Sequence, residues 1–159
     1  MHPRAAEFRK RAAEEYGLEI EVEEFSEGTK TAAAAADAVG CDVAQIASSL
    51  VFDADGEPVV VVTSGANRVD EDRVAEAVGA DSVGMADAGR IKELLGWSIG
   101  GVPPICHDTE IPALFDPTLG EFDTVWAAAG TPEALFPIDP ARLKRLANAE
   151  ERPVAGDPS

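Results

Sequence analysis

The chain has 159 residues, 45% of them apolar, which is long enough for one domain with a real core and too short for two of ordinary size. Its 30 acidic residues against 13 basic ones give a formal net charge of −17, which argues against a polyanionic ligand and points to a salt-rich cytoplasm, where self-repulsion is screened. No apolar run reaches the roughly 20 residues of a membrane span, and "MHPRAAEFRKRAAEEYG" lacks the apolar centre of a signal peptide. Two cysteines, Cys41 and Cys106, make neither a disulfide framework nor a zinc motif.

In chain order, Ala5, Phe8, Ala12 and Tyr16 recur at helical spacing from Arg4 to Tyr16, with Gly17 as the stop. "LEIEVEEF" alternates Leu18, Ile20 and Val22 with glutamates, as a half-buried strand does. "TAAAAADAVG" predicts a second helix ending at Gly40, with Asp42 capping a short turn before Ile46. "SSLVFDADGEPVVVVTSG" predicts a hairpin of Leu50 to Phe52 and Val59 to Thr63 about an Asp55-Gly56 turn, with Ser48 and Ser49 at the strand's entry.

"VDEDRVAEAVGA" reads as a third helix, "DSVGMA" as a short strand and "DAGRIKELLG" as a fourth helix ending at Gly96. "GGVPPICHD" is a stiff loop, because adjacent prolines remove two backbone donors behind two glycines. "IPALFD", "TVWAAAG" and "ALFPI" then read as strands, and "DPARLKRLAN" as a final helix capped by Asp139. The predicted fold is a single α/β domain with a mixed sheet flanked by helices. The divisions are 1–17, an N-terminal helix; 18–149, the main domain; and 150–159, a polar disordered tail.

Chemistry has few places to sit. In the loop from Gly100 to His107 the glycines expose backbone N–H groups and the prolines hold the shape, which suits either a ligand oxygen or a tight turn with no ligand. His107 either orients a substrate, acts as a base, or is a hydrogen-bonded structural residue. Cys106 stands beside it, but chain neighbours usually point apart, so adjacency makes no Cys-His couple. "CHD" without a second ligand cluster makes no metal site. Asp116 either caps the turn at Pro117 or positions a substrate amine or hydroxyl.

Several stretches, "TKTAAAAADAVGCDVAQIASSLVF", "VVVVTSGANRVDEDRVAEAVGA", "GWSIGGVPPICH", "LFDPTLGEFDTVWAAAG" and "LFPIDPARLKRL", follow one another as in the YbaK/EbsC family. Those proteins are aminoacyl-tRNA deacylases related to the editing domain of bacterial prolyl-tRNA synthetase, and the resemblance runs from Leu18 to Leu146. It implies a partly barrel-like mixed sheet and hydrolysis of the ester joining a wrong amino acid to the tRNA 3′ end, without cofactor or metal. By position Gly100 and Gly101 become backbone donors to the oxyanion, and His107 and Asp116 shape the pocket with Pro103.

The resemblance also exposes departures. Relatives begin the strand with a lysine in a pattern like "QIxKSLVF", and here that position is Ser48, which cannot replace a positive charge beside a phosphate. Phe25 stands where relatives often carry tyrosine, and Thr131, after Gly130, where they often carry histidine. Lys30 is placed to approach the same site from the side. Basic residues of the first helix (Arg4, Arg9, Lys10, Arg11) and the last (Arg142, Lys144, Arg145) are either tRNA contacts or solvated helix faces. The expectation is a freestanding, cytoplasmic deacylase acting on the aminoacyl-tRNA 3′ end, tRNA for proline in particular, with no DNA or membrane partner. The alternative is a binding module of the same fold that has lost hydrolysis.

Overall fold

Helix ends in this chain are set by local chemistry. The computed structural model describes residues 2–25, 31–98 and 101–156. Helix α1 (Pro3–Tyr16) ends at Gly17 with φ 64°, α2 (Ala32–Val39) runs from the Thr31 cap to Gly40, α3 (Glu71–Val78) from Asp70 to Gly79, and α4 (Ala88–Leu95) from Asp87 to Gly96. In each, the glycine adopts the left-handed conformation that other residues avoid. Helix α5 (Pro140–Leu146) is capped by Asp139, whose carboxylate accepts from Ala141 N and Arg142 N.

The strands are β1 (Glu23–Glu24), β2 (Ile46–Ala54), β3 (Glu57–Ser64), β4 (Val83–Met85), β5 (Ala113–Phe115), β6 (Val125–Ala128), β7 (Ala134–Ile138) and β8 (Ala149–Glu151). They form one mixed sheet in the order β1-β7-β6-β2-β3-β5-β8, with β4 also pairing β2. The pairs β2/β6, β3/β5 and β5/β8 are parallel and the others antiparallel. The two ends of the path, β1 and β8, do not pair with each other among the described residues.

A main core on one sheet face takes Phe8 and Ala12 of α1, Val60 and Val62 of β3, Trp97, Ile105 and Phe136. On the other face Val59, Val61 and Leu114 pack with Val74 of α3 and Val154. At the β7 edge a small cluster joins Ala35 and Ala36 of α2 to Ile46 and Leu135. No helix among the described residues is long and apolar enough to cross a membrane.

Two expectations need correction. "LEIEVEEF" alternates in burial as predicted, yet only Glu23 and Glu24 pair as strand, against Leu135 and Ala134. The tail expected to be disordered is ordered through residue 156. Strand β8 lies parallel to β5, Arg152 N donates to Phe115 O at 3.2 Å, Asp70 N donates to Val154 O at 2.7 Å, and Val154 is fully buried. Backbone hydrogen bonding does not depend on side-chain polarity, so a polar composition concealed a pairing segment.

Candidate active site

Among the described residues, the centre of β2 has an open edge. β2 pairs with β3 along its length, from Ala47↔Ser64 to Ala54↔Glu57, and Gly65 N donates to Ile46 O at 2.8 Å. By antiparallel alternation this bond turns the peptide groups of Ala47, Ser49, Val51 and Asp53 toward the opposite edge. There Ala47 meets β6, Asp53 meets β4, and Val51 O accepts from Ala86 N at 3.1 Å. Ser49 falls between, with no strand beside it, and its buried Oγ has no hydrogen-bond partner among the described residues. Sequence reasoning put both serines at the strand entry; they lie inside the strand, which starts at Ile46. Nothing in the local sequence signals the gap, because it depends on where β4 and β6 stop.

Alternation along β2 sends the two side chains to opposite faces. Ser49 shares the face of Ala47 and Val51, toward the main core. Ser48 shares the face of Ile46 and Phe52 and lies opposite Thr63.

Beyond Ala128, β6 leads into a turn that meets the proline loop. At Gly101 an added Cβ would lie 2.7 Å from Thr131 Cα and 2.9 Å from its C and N atoms. Glycine is required there by close approach of two backbones. Gly130, at φ 93°, is wedged similarly: its Cβ would meet Trp97 at 2.6 Å and Arg4 O at 2.9 Å. Thr131 is buried, and Phe25 N donates to Glu133 O at 2.9 Å. Phe25 itself packs against the α2 cluster. The structure thus gathers Gly101, Gly130 and Thr131, with Phe25 one turn away. Lys30 and Gly100 lie outside the described residues. The Gly101 N–H donates to Ser98 O at 3.1 Å, so in this structure its amide is already used.

His107 braces the loop. Burial lowers its pKa, outweighing the Pro103 carbonyl, which raises it, so the ring is neutral at neutral pH and Nε2–H donates to Pro103 O at 2.7 Å. The ring lines a cavity of about 380 Å³ with Tyr16, Ile111, Leu146 and Asn148, between the end of α1 and α5. Among the described residues no hydrogen bond joins His107 to Gly101 or Thr131.

Asp116 is a structural hub. It is 1% exposed and caps the 3-10 turn Pro117–Glu121. Its Oδ2 accepts from Thr63 Oγ1 at 3.0 Å, Ser64 N at 3.1 Å and Asn67 Nδ2 at 2.9 Å, and its Oδ1 accepts from Thr118 N at 3.0 Å. Burial alone would raise its pKa, but these bonds together hold it below the ordinary value. Of the two roles open to it in the sequence, the turn cap is what the geometry displays.

With this arrangement in view, the aminoacyl-tRNA editing domain family matches residues 26–146. The chain belongs to that family. A solved structure described as a candidate trans-editing enzyme for prolyl-tRNA synthetase superimposes with a TM-score of 0.93 at 36% identity, covering 99% of each chain. The uncharacterized Bacillus subtilis protein YwhH is 29% identical over 83% of this chain and 84% of its own. A Lysinibacillus sphaericus proline–tRNA ligase is 36% identical over 46% of this chain, a stretch that makes up only 13% of that longer enzyme.

Within this editing domain Cys106 is no nucleophile. It is fully buried, and burial, reinforced by Glu15, pushes its thiol up to about 12. Exchanging Cys106→Ser is therefore expected to leave any hydrolysis of an aminoacyl-tRNA unaltered per folded molecule. Single-turnover kinetics at pH 7 to 9 check this, and a loss beyond tenfold would restore a thiol mechanism. No three His, Cys, Asp or Glu side chains among the described residues are placed to hold a metal ion.

Proposed function

We propose that this protein is a freestanding deacylase that removes a small, wrong amino acid from tRNA, the tRNA for proline in particular. Water attacks the ester carbonyl carbon, the bond to the ribose oxygen breaks, and free amino acid and an intact tRNA 3′ end are released. One observation carries the proposal: the proline loop presses Gly101 onto Thr131, in the turn that follows β6, the strand that pairs with the start of β2. Backbone so confined forms a fixed cradle, and fixed dipoles stabilise a developing oxyanion without reorganising. The full-length likeness to the candidate trans-editing enzyme supports the same reading.

In this proposal Gly100 supplies a backbone donor, since the Gly101 amide is engaged. Pro103 and His107 hold the loop, Asp116 fixes the end of β5 through the 3-10 turn, and Phe25, Gly130, Thr131 and Ser48 border the substrate, with Lys30 at the flank. Single-turnover hydrolysis of a panel of mischarged tRNAs, alanyl- and cysteinyl-tRNA for proline included, tests it. Release above the spontaneous rate for at least one member is the expected result, and a flat panel overturns it.

Ser48 favours a second reading, a binding module without hydrolysis. Its side chain is short and uncharged where relatives place lysine. A Ser48→Lys variant separates the two. On an active enzyme it is expected to raise kcat/KM roughly tenfold, about 1.4 kcal/mol, by a charge-assisted contact to a phosphate. A variant as inert as an inert wild type would leave the binding module standing.

A further inference from the structure

Helix α1 carries four of the chain's 13 basic residues, set against 30 acids in the whole sequence. Two of the four are engaged within the fold. Arg4 bonds Glu7 and Gly96 O and stacks over Trp97, and Arg11 bonds Glu15 and Asp108. Arg9 and Lys10 are exposed and have no ion-pair partner among the described residues. Both line an open groove of about 630 Å³, with Ala6 and Ala13 of α1 on one side and Glu19 and Ile20 of the returning chain on the other. Glu19 is the acid that faces them there.

The helix that walls the groove starts at the candidate active site. The Arg4 carbonyl would be 2.9 Å from a Cβ at Gly130, so the start of α1 abuts the turn that contacts Gly101. His2 N donates to Glu24 Oε2 at 2.8 Å, and the next residue, Phe25, bonds Glu133. The segment after Leu18 thus runs back along α1 and ends at the site. At 1.5 Å per residue, Arg9 and Lys10 stand roughly 8 to 9 Å along the axis from Arg4.

Resting on the deacylase reading, we infer that this groove docks the sugar-phosphate backbone of the tRNA acceptor end, Arg9 and Lys10 each meeting a phosphate of the strand whose 3′ end enters the site. The argument is charge complementarity. On a chain of −17, two adjacent cations that form no ion pair among the described residues, with Glu19 the one acid lining their groove, form a local exception to a surface that repels RNA. Contacts to phosphate position the strand without reading its sequence, so this surface serves any tRNA the pocket accepts.

The test compares an Arg9→Glu, Lys10→Glu double variant with wild type on two substrates, a mischarged tRNA and a 3′-aminoacyl-adenosine that lacks the upstream phosphates. An Arg68→Glu, Lys92→Glu variant makes the same charge change at exposed cations elsewhere. KM for the tRNA is expected to rise roughly tenfold in the α1 variant, with KM for the short substrate unmoved and the control within twofold of wild type. The slope of log KM against log potassium chloride concentration should fall by about 1.4, two phosphates at roughly 0.7 each on a single strand. An unchanged tRNA KM and salt slope, or an equal rise in the control, overturns the groove while leaving the deacylase intact. A wild type that hydrolyses neither substrate defeats the deacylase instead; binding of a tRNA acceptor hairpin, measured by fluorescence anisotropy, then judges the groove by the same comparison of variants.

Discussion

A Gly101→Ala variant is expected to lose about 1–3 kcal/mol of stability and at least tenfold in single-turnover hydrolysis. The added methyl would sit 2.7 to 2.9 Å from three backbone atoms of Thr131, well inside the roughly 3.5–4.0 Å at which carbons attract. The obstacle is main chain, so no rotamer change relieves it. Nor can Thr131 retreat easily. Its carbonyl accepts from Ala134 N at 3.2 Å, Ala129 N donates to Ala134 O at 3.0 Å, and Gly130 is wedged against Trp97. Relief must come from the proline loop, which moves the cradle. Gly120→Ala provides the contrast, because its nearest neighbour, a Glu151 carboxylate oxygen, is 3.9 Å away and nothing has to shift. Thermal unfolding and single-turnover kinetics of both variants check this. A Gly101→Ala protein equal to wild type in both measurements would show that the close approach serves neither packing nor catalysis.

Asp116→Ala should destabilise the fold by about 3–5 kcal/mol, because it removes the acceptor shared by four donors that converge on one buried carboxylate. The same hub makes stability depend on acid. Folding lowers the carboxyl pKa below its ordinary value of 3.8, so the folded state binds its proton less readily than the unfolded chain. The stabilisation is complete above that ordinary value and disappears as pH falls through the lower, folded-state value. Urea midpoints at pH 7 and pH 3 test this. Wild type should lose stability between them, and an Asp116→Asn protein, weaker at pH 7, should lose less. Equal losses would place the acid sensitivity in other carboxylates.

Much of this architecture was legible in the sequence, for a local reason. The stops at Gly17, Gly40, Gly79 and Gly96 need only a residue that tolerates a left-handed backbone, and the Asp55-Gly56 turn needs two positive φ values, 52° and 88°. Such requirements are met within three or four residues, so composition along a short window reveals them. The glycine-proline loop and the absence of lysine at Ser48 were equally visible, as was the family.

Other features were decided only by chain segments far apart. Strand β8 exists because residues 149–151 find β5 some 36 positions earlier, and no local pattern announces a ladder made of backbone groups. The gap at Ser49 arises from where β4 and β6 end, not from Ser49 itself. Asp116 had two roles open in the sequence, and the convergence of Thr63, Ser64, Asn67 and Thr118 chose between them. The groove at Arg9 and Lys10 likewise required Glu19 and Ile20 to fold back along α1. The sequence by itself determined where the helices stop and where the hairpin turns, because those are matters of φ and capping. Only the tertiary structure decided which backbone groups, charges and hydroxyls stay unpaired beside the site, because pairing belongs to two segments at once.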